Sequence, residues 1–182
     1  MSWWLSKSGV VLMAQVNRRW PDRDHASDGT IGDAAHMQRQ SDHDPDYSST
    51  PPGVVRAIDI DSDLGGPHAA QRLANQLIAC ARLGEDAGRL SYVIFDGHIA
   101  SGTYPTTYWK WRPYTGSDPH TNHIHVSFTS AGDQSGTEFP LPIFSERVKR
   151  RLGRRIARLT ARIKALLGRR RRAQRRLDDL VN

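Results

Sequence analysis

Apolar residues first recur at a helical period between residues 4 and 20, where Leu5, Val10 to Met13, Val16 and Trp20 line up and Pro21 follows as a stop. The spacing predicts a helix over that stretch. Residues 22–53 lose the period. They are dense in Asp, Ser, Gly, Pro and His and read as loop, with one helical turn around 33–39 and a turn-rich excursion over 47–53 that contains Pro51-Pro52. The run Gly53-Val-Val-Arg-Ala-Ile-Asp-Ile-Asp61 is β-branched and predicts a strand. Gly65-Gly66, an apolar face of Leu73, Leu77 and Cys80, and Gly84 delimit a second helix over 67–83. Residues 90–95 predict another strand, Asp96-Gly97 a hairpin turn and residues 98–101 the returning strand. Residues 108–112 give a weaker strand signal. Residues 123–128 give a stronger one, because His, Ile, His, Val, Ser and Phe alternate. Strand, helix and then several strands predict an α+β domain: a small antiparallel sheet with flanking helices.

The C-terminal end follows a different rule. Phe144, Val148, Leu152, Ile156, Leu159, Ile163 and Leu166 are spaced by four or three, which makes one apolar stripe on a long helix with arginines over the rest. Gly168 is expected to interrupt it. Arg169 to Arg172 form a basic block, and a short segment at 177–181 closes the chain.

Charge changes the picture, because the net +7 is unevenly distributed. Residues 145–182 carry 15 Lys/Arg against 3 Asp/Glu, whereas residues 1–144 carry 11 against 16. The expected organisation is an acidic domain over 1–140, joined near Pro140 and Pro142 to a basic amphipathic tail over 141–182. No apolar run reaches the roughly 18 residues of a membrane span. Met1-Ser-Trp-Trp-Leu5 lacks the basic-then-apolar order of a secretory signal. The single cysteine, Cys80, excludes a disulfide framework and a thiolate-rich zinc finger.

The chemistry lies in the histidines. Of eight, four fall in two tight contexts: Ser41-Asp-His43-Asp-Pro45, and His120-Thr-Asn-His123-Ile-His125. Side chains at i and i+2 of a strand share a face. His123 and His125 therefore project together, as do Asp59 and Asp61 on their own strand. If the two strands are neighbours, one side of the sheet presents two imidazoles and at least one carboxylate, and a loop can deliver His43. Two histidines, a carboxylate and an open position suit catalytic zinc, whereas magnesium asks for oxygens. Asp61 reads as a strand-end cap, His25, His68 and His98 as structural or surface groups, and His36 as a helical residue near the site.

These residues resemble the zinc D-alanyl-D-alanine carboxypeptidase group, whose fold is shared with murein endopeptidases and the hedgehog signalling domain. Ser41, His43, Ala57, Asp59, His123 and His125 match its Ser-X-His, Ala-X-Asp and His-X-His elements. The wider pattern is Asn17-Arg-Arg-Trp-Pro21, Ser27-Asp-Gly-Thr-Ile-Gly-Asp-Ala-Ala-His36 and Ser41-Asp-His-Asp-Pro45. It is similar to peptidase domains of bacteriophage endolysins and related actinobacterial proteins. The resemblance covers roughly residues 5–130. It implies zinc held by His43, Asp59 and His125, His123 as a catalytic residue that lines the pocket and polarises the substrate or steadies the metal water, His120 as general base, and Ser41 bonding the substrate, a peptide of bacterial peptidoglycan. L-Ala–D-Glu, D-Ala–diaminopimelate and D-Ala–D-Ala bonds all fit. The chain departs from the pattern twice. Fifteen residues separate His43 from Asp59 where the group usually has six, and Asn122 stands where many members carry a carboxylate. An amide takes no proton, so the base is His120 or Asp118.

Arg39 and Arg56 are candidates to hold a substrate carboxylate, and Tyr104, Tyr108, Trp109, Trp111 and Tyr114 to line a peptide groove or fill the core. The arginine-rich tail suits anionic envelope polymers or an anionic membrane surface. Its alternatives are a coiled coil and nucleic acid. A nucleic-acid-binding protein or metal nuclease is the second reading, disfavoured by the acidic catalytic half. A zinc domain that binds wall peptide without cutting it is the third. The expected location is the host cytoplasm, with access to the wall after holin-type release or lysis.

Overall fold

The computed structural model describes residues 2–32, 41–145, 156–168 and 170. The predicted turn at 33–39, with His36 and Arg39, lies outside these residues, as do Val148, Leu152 and the segment at 177–181. The chain divides into two units, Met1–Phe144 and Ser145–Asn182.

The first unit is built around a five-stranded antiparallel sheet. Ahead of it, Trp4–Leu5 (β1) pairs in parallel with Val54–Val55 (β2). This corrects the expectation of a helix from residue 4. The helix instead runs over Lys7–Arg19 (α1), with the Ser6 hydroxyl accepting from the Gly9 N–H at 3.3 Å as its cap. The run over 53–61 is also not one strand. It breaks at Arg56, and Ala57–Asp61 (β3) enters the main sheet. Ala69–Arg82 (α2), Leu90–Phe95 (β4) and His98–Ser101 (β5) follow. The weak strand at 108–112 reduces to Arg112–Pro113 (β6), since Trp109 is drawn into the core at 4% exposure. His123–Phe128 (β7) completes the sheet, in the order β3-β7-β4-β5-β6.

Alternation along β3 and β7 divides their side chains between two faces. Ile58, Ile60, Ile124 and Val126 go to one face, all fully buried in a core with Leu12 and Val16 of α1 and Leu73 and Leu77 of α2. Asp59, His123 and His125 go to the other. Helix α1 lies close on the sheet at Gly9, where an added Cβ would stand 3.2 Å from Ile58 Cγ2. Residues after Phe128 return across the helices. The Gln15 amide donates to the Phe139 carbonyl at 3.0 Å and accepts from its N–H at 2.9 Å. Phe144, expected at the head of the tail stripe, packs instead edge-on against Trp20 at 6.2 Å.

In the second unit, residues 156–168 are helical, Gly168 included. Ile156, Leu159, Ile163, Leu166 and Leu167 are each about half exposed there. Among the described residues no helix is long and apolar enough to cross a membrane.

Candidate metal centre

Pairing of β3 with β7 sets Asp59 directly opposite His125, and Asp61 opposite His123. Residues opposite in an antiparallel ladder share a face, so a carboxylate and an imidazole meet although they lie 66 positions apart in sequence. His125 Nδ1 lies 3.0 Å from Asp59 Oδ1.

His43 arrives from a loop. Its ring Nδ1 donates to the Thr30 carbonyl at 3.2 Å, and its backbone N–H donates to Ser41 Oγ at 3.2 Å. A carbonyl only accepts, so the proton sits on Nδ1 and Nε2 is turned inward. That Nε2 stands 3.2 Å from His125 Nδ1, 3.3 Å from Asp59 Oδ1 and 3.2 Å from Asp59 Oδ2. The far side of His125 is held in turn, with Nε2 3.0 Å from Ser127 Oγ. His43, Asp59 and His125 thus form a largely buried group that could hold a metal ion.

The long interval before Asp59 costs nothing in register, because the excursion closes on itself. Asp46 N–H donates to the Val54 carbonyl and Gly53 N–H to the Asp46 carbonyl, both at 2.8 Å. Arg56 secures that closure, donating to Asp46 at 2.8 Å and to both oxygens of Asp133 at 2.8 and 2.7 Å. Its guanidinium is a tie between loops and is not turned to the cleft.

His120 sits on a loop strapped to the β4–β5 hairpin: Asp96 N–H donates to the His120 carbonyl at 3.0 Å and Gly97 N–H to the Pro119 carbonyl at 2.7 Å. Its ring lies 4.8 Å from that of His123 and 5.4 Å from that of His125, centroid to centroid. His123 Nε2 reaches to 3.6 Å from Asp59 Oδ1. His43, Asp59, His120, His123, His125 and Ser41 line one cleft of about 270 Å³.

Asp61 is drawn away as a cap, accepting from the Ser27 and Asp63 N–H groups at 2.9 and 2.7 Å. Of the five aromatic groove candidates, Tyr114 lines the cleft; Trp109 is core, Trp111 bonds Asn75 on α2, and Tyr104 and Tyr108 are exposed.

Two contributors escaped the sequence reading. Tyr92 stacks on His125 at 5.4 Å and 15°, and Gly29 exchanges backbone hydrogen bonds with Asp59 at 2.8 and 3.1 Å. A Cβ on Gly29 would fall 2.7 Å from Asp59 Oδ2. The signal for Tyr92 is its place two residues before Ile94, which pairs with His125. The signal for Gly29 is nothing more than its small size.

Electrostatics fit this geometry. Burial pushes the Asp59 carboxyl up, but hydrogen bonds and charge from His125 and His43 outweigh it and hold the group well below the usual carboxylate range. Burial lowers His43, and the Asp59 hydrogen bond and charge more than reverse this, so it is raised. Burial depresses His125 against the pull of Asp59. Burial, then the neighbouring His125 and His123, depress His120.

No family model, curated protein or solved structure matches this chain.

Proposed function

We propose that this chain is a zinc-dependent peptidase acting on the short peptides of bacterial peptidoglycan, of the carboxypeptidase and murein endopeptidase type its motifs resemble. One observation carries the reading: three ligand atoms of His43, Asp59 and His125 stand 3.0–3.3 Å apart. Donors bound about 2.0–2.1 Å from a tetrahedral zinc are separated by roughly 3.3 Å. Two imidazoles and a carboxylate are a catalytic donor set with a corner left for water or substrate, and they lack the oxygens magnesium prefers. When bound, zinc supplies a Lewis acid that polarises a peptide carbonyl and eases ionisation of water.

The chain's own groups supply the rest. His120 keeps its proton on Nδ1, which donates to the Asp118 carbonyl at 2.6 Å, so Nε2 is the proton acceptor facing the cleft. Its lowered pKa leaves that nitrogen neutral at pH 7. As a water oxygen bonds the peptide carbonyl carbon, His120 Nε2 takes that water's proton, and it gives the proton to the leaving amine as the C–N bond breaks. His123 Nε2 accepts a hydrogen bond from water in the cleft. The Ser41 hydroxyl, at the rim, bonds the peptide, and Tyr114 gives it an apolar wall. Arg39, outside the described residues, is the proposed partner of a substrate carboxylate. The basic tail concentrates the enzyme on anionic envelope polymers or membrane, and the cell wall, reached after release from a host cytoplasm, is its place of action.

Purified peptidoglycan incubated with the protein, with and without a chelator, tests this by mass analysis of released fragments. Cleaved stem or cross-link peptides that vanish with chelator are expected. Ala substitution at His43, Asp59 or His125 should abolish zinc retention and cleavage together. A zinc-free His125→Ala protein with full activity would refute the assignment. The density of arginine in the tail favours a second reading, a metal nuclease or nucleic-acid binder, and nicking of plasmid with intact peptidoglycan would select it.

A further inference from the structure

Beside the first group stands a second. Asp118, His120 and His123 each offer one donor atom, all within 4.8 Å of one another. Both imidazoles are oriented as metal ligands are oriented, through the nitrogen that does not bind. His120 Nδ1 donates to the Asp118 carbonyl at 2.6 Å, and His123 Nδ1 donates to the Asn122 side-chain oxygen at 2.8 Å. The Asn122 amide nitrogen in turn donates to Ser27 Oγ at 3.0 Å. Nε2 is thus the nitrogen that each ring leaves for an ion. All three residues line the cleft of the first group, and His123 Nε2 stands 3.6 Å from Asp59 Oδ1, so the two groups adjoin through a carboxylate.

We propose that Asp118, His120 and His123 form a second, weaker cation site for a borderline divalent ion such as zinc, and that filling it silences hydrolysis by occupying the His120 lone pair. The silencing rests on the proposed function; the binding does not. Two imidazoles and a carboxylate again suit zinc or cobalt better than calcium or magnesium. The site is weaker for two reasons. Its donors span up to 4.8 Å and must draw together, and Asp118 is exposed on a loop, where the first group is nearly closed and buried. One lone pair cannot both ligate an ion and accept a proton, so occupation and base catalysis exclude each other.

The test uses the full chain, stripped of metal and titrated with cobalt(II), followed by visible absorption, and with zinc, followed by calorimetry, at neutral pH. Two steps are expected, one tight equivalent and then one weak. Asp118→Asn keeps an oxygen to accept the His120 N–H, now bonded at 2.9 Å, but removes the charge. It should weaken the second step about tenfold or more and leave the first unchanged. His120→Gln should abolish the second step alone. A single equivalent in the parent chain, or a second equivalent indifferent to both substitutions, overturns the site. Hydrolysis undiminished when the second step is complete overturns the silencing. Failure of the proposed function looks different: the first equivalent is then missing, or survives His43→Ala.

Discussion

At the scale of single residues, the cleft depends on atoms that hold a ligand still as much as on the ligands. Gly29 is the sharpest case. Asp59 is pinned by two histidines, so a methyl group 2.7 Å from its Oδ2 cannot be absorbed by a free rotation. Gly29→Ala should weaken metal affinity about 10- to 100-fold, the range seen when outer-shell support is lost, and lower thermal stability as the crowded carboxylate or its loop gives way. Metal-binding titration beside a melting curve checks both halves. Sequence made the ligand types legible here. His-X-His shows itself through the two-residue period, and Asp59 through the same rule. What stayed hidden is what the three-dimensional approach decides: the Tyr92 stack, the Gly29 contact, and the engagement of Arg56 with Asp46 and Asp133.

Among the elements, β7 is the hinge of the argument, because it lies between β3 and β4 and carries site residues on one face and core on the other. Ile124 is fully buried between the cleft-lining positions 123 and 125. Ile124→Ala should cost about 2–5 kcal/mol by cavity formation. The loop before β3 is anchored differently. The Arg23 side chain is wholly buried and donates through two nitrogens to Asp28, whose other contacts include the Asp61 N–H at 2.9 Å. Asp28→Ala removes the charge partner of that buried guanidinium, which keeps its bonds to Asn17 Oδ1 and the Asp24 carbonyl, and should cost about 3–5 kcal/mol, read by chemical denaturation. Strands and helices of five residues or more were legible from periodicity. The two-residue β1 and the break at Arg56 were not, because so short a pairing has no period and a continuous β-branched run conceals a change of sheet.

For the whole molecule, charge and pH come into play. Hydrogen bonds from Ser48, then Arg56, hold Asp46 down at about 2, below its ordinary value near 3.8. A depressed folded-state pKa contributes stability above about pH 3.8 that is lost as pH falls toward 2. Asp46→Asn should therefore melt below the parent near neutrality and converge with it near pH 2. The proposed envelope binding would act through the 15 basic residues of 145–182, against the acidic balance of 1–144. Binding of the full chain to anionic vesicles or teichoic-type polymers should fall steeply between low and high salt, and a chain ending at residue 144 should lose it.

The hydrogen-bonded neck at Asp46, Gly53 and Val54 has a practical corollary. Beyond that neck the Pro52 carbonyl accepts from Trp4 Nε1 at 3.1 Å, while Ser48 and Ser49 bond within the excursion, to Asp46 and Pro51. A reporter peptide or affinity handle spliced in at Ser48-Ser49 should leave the metal affinity of the parent intact, making this outgrowth the natural place to label or immobilise the protein.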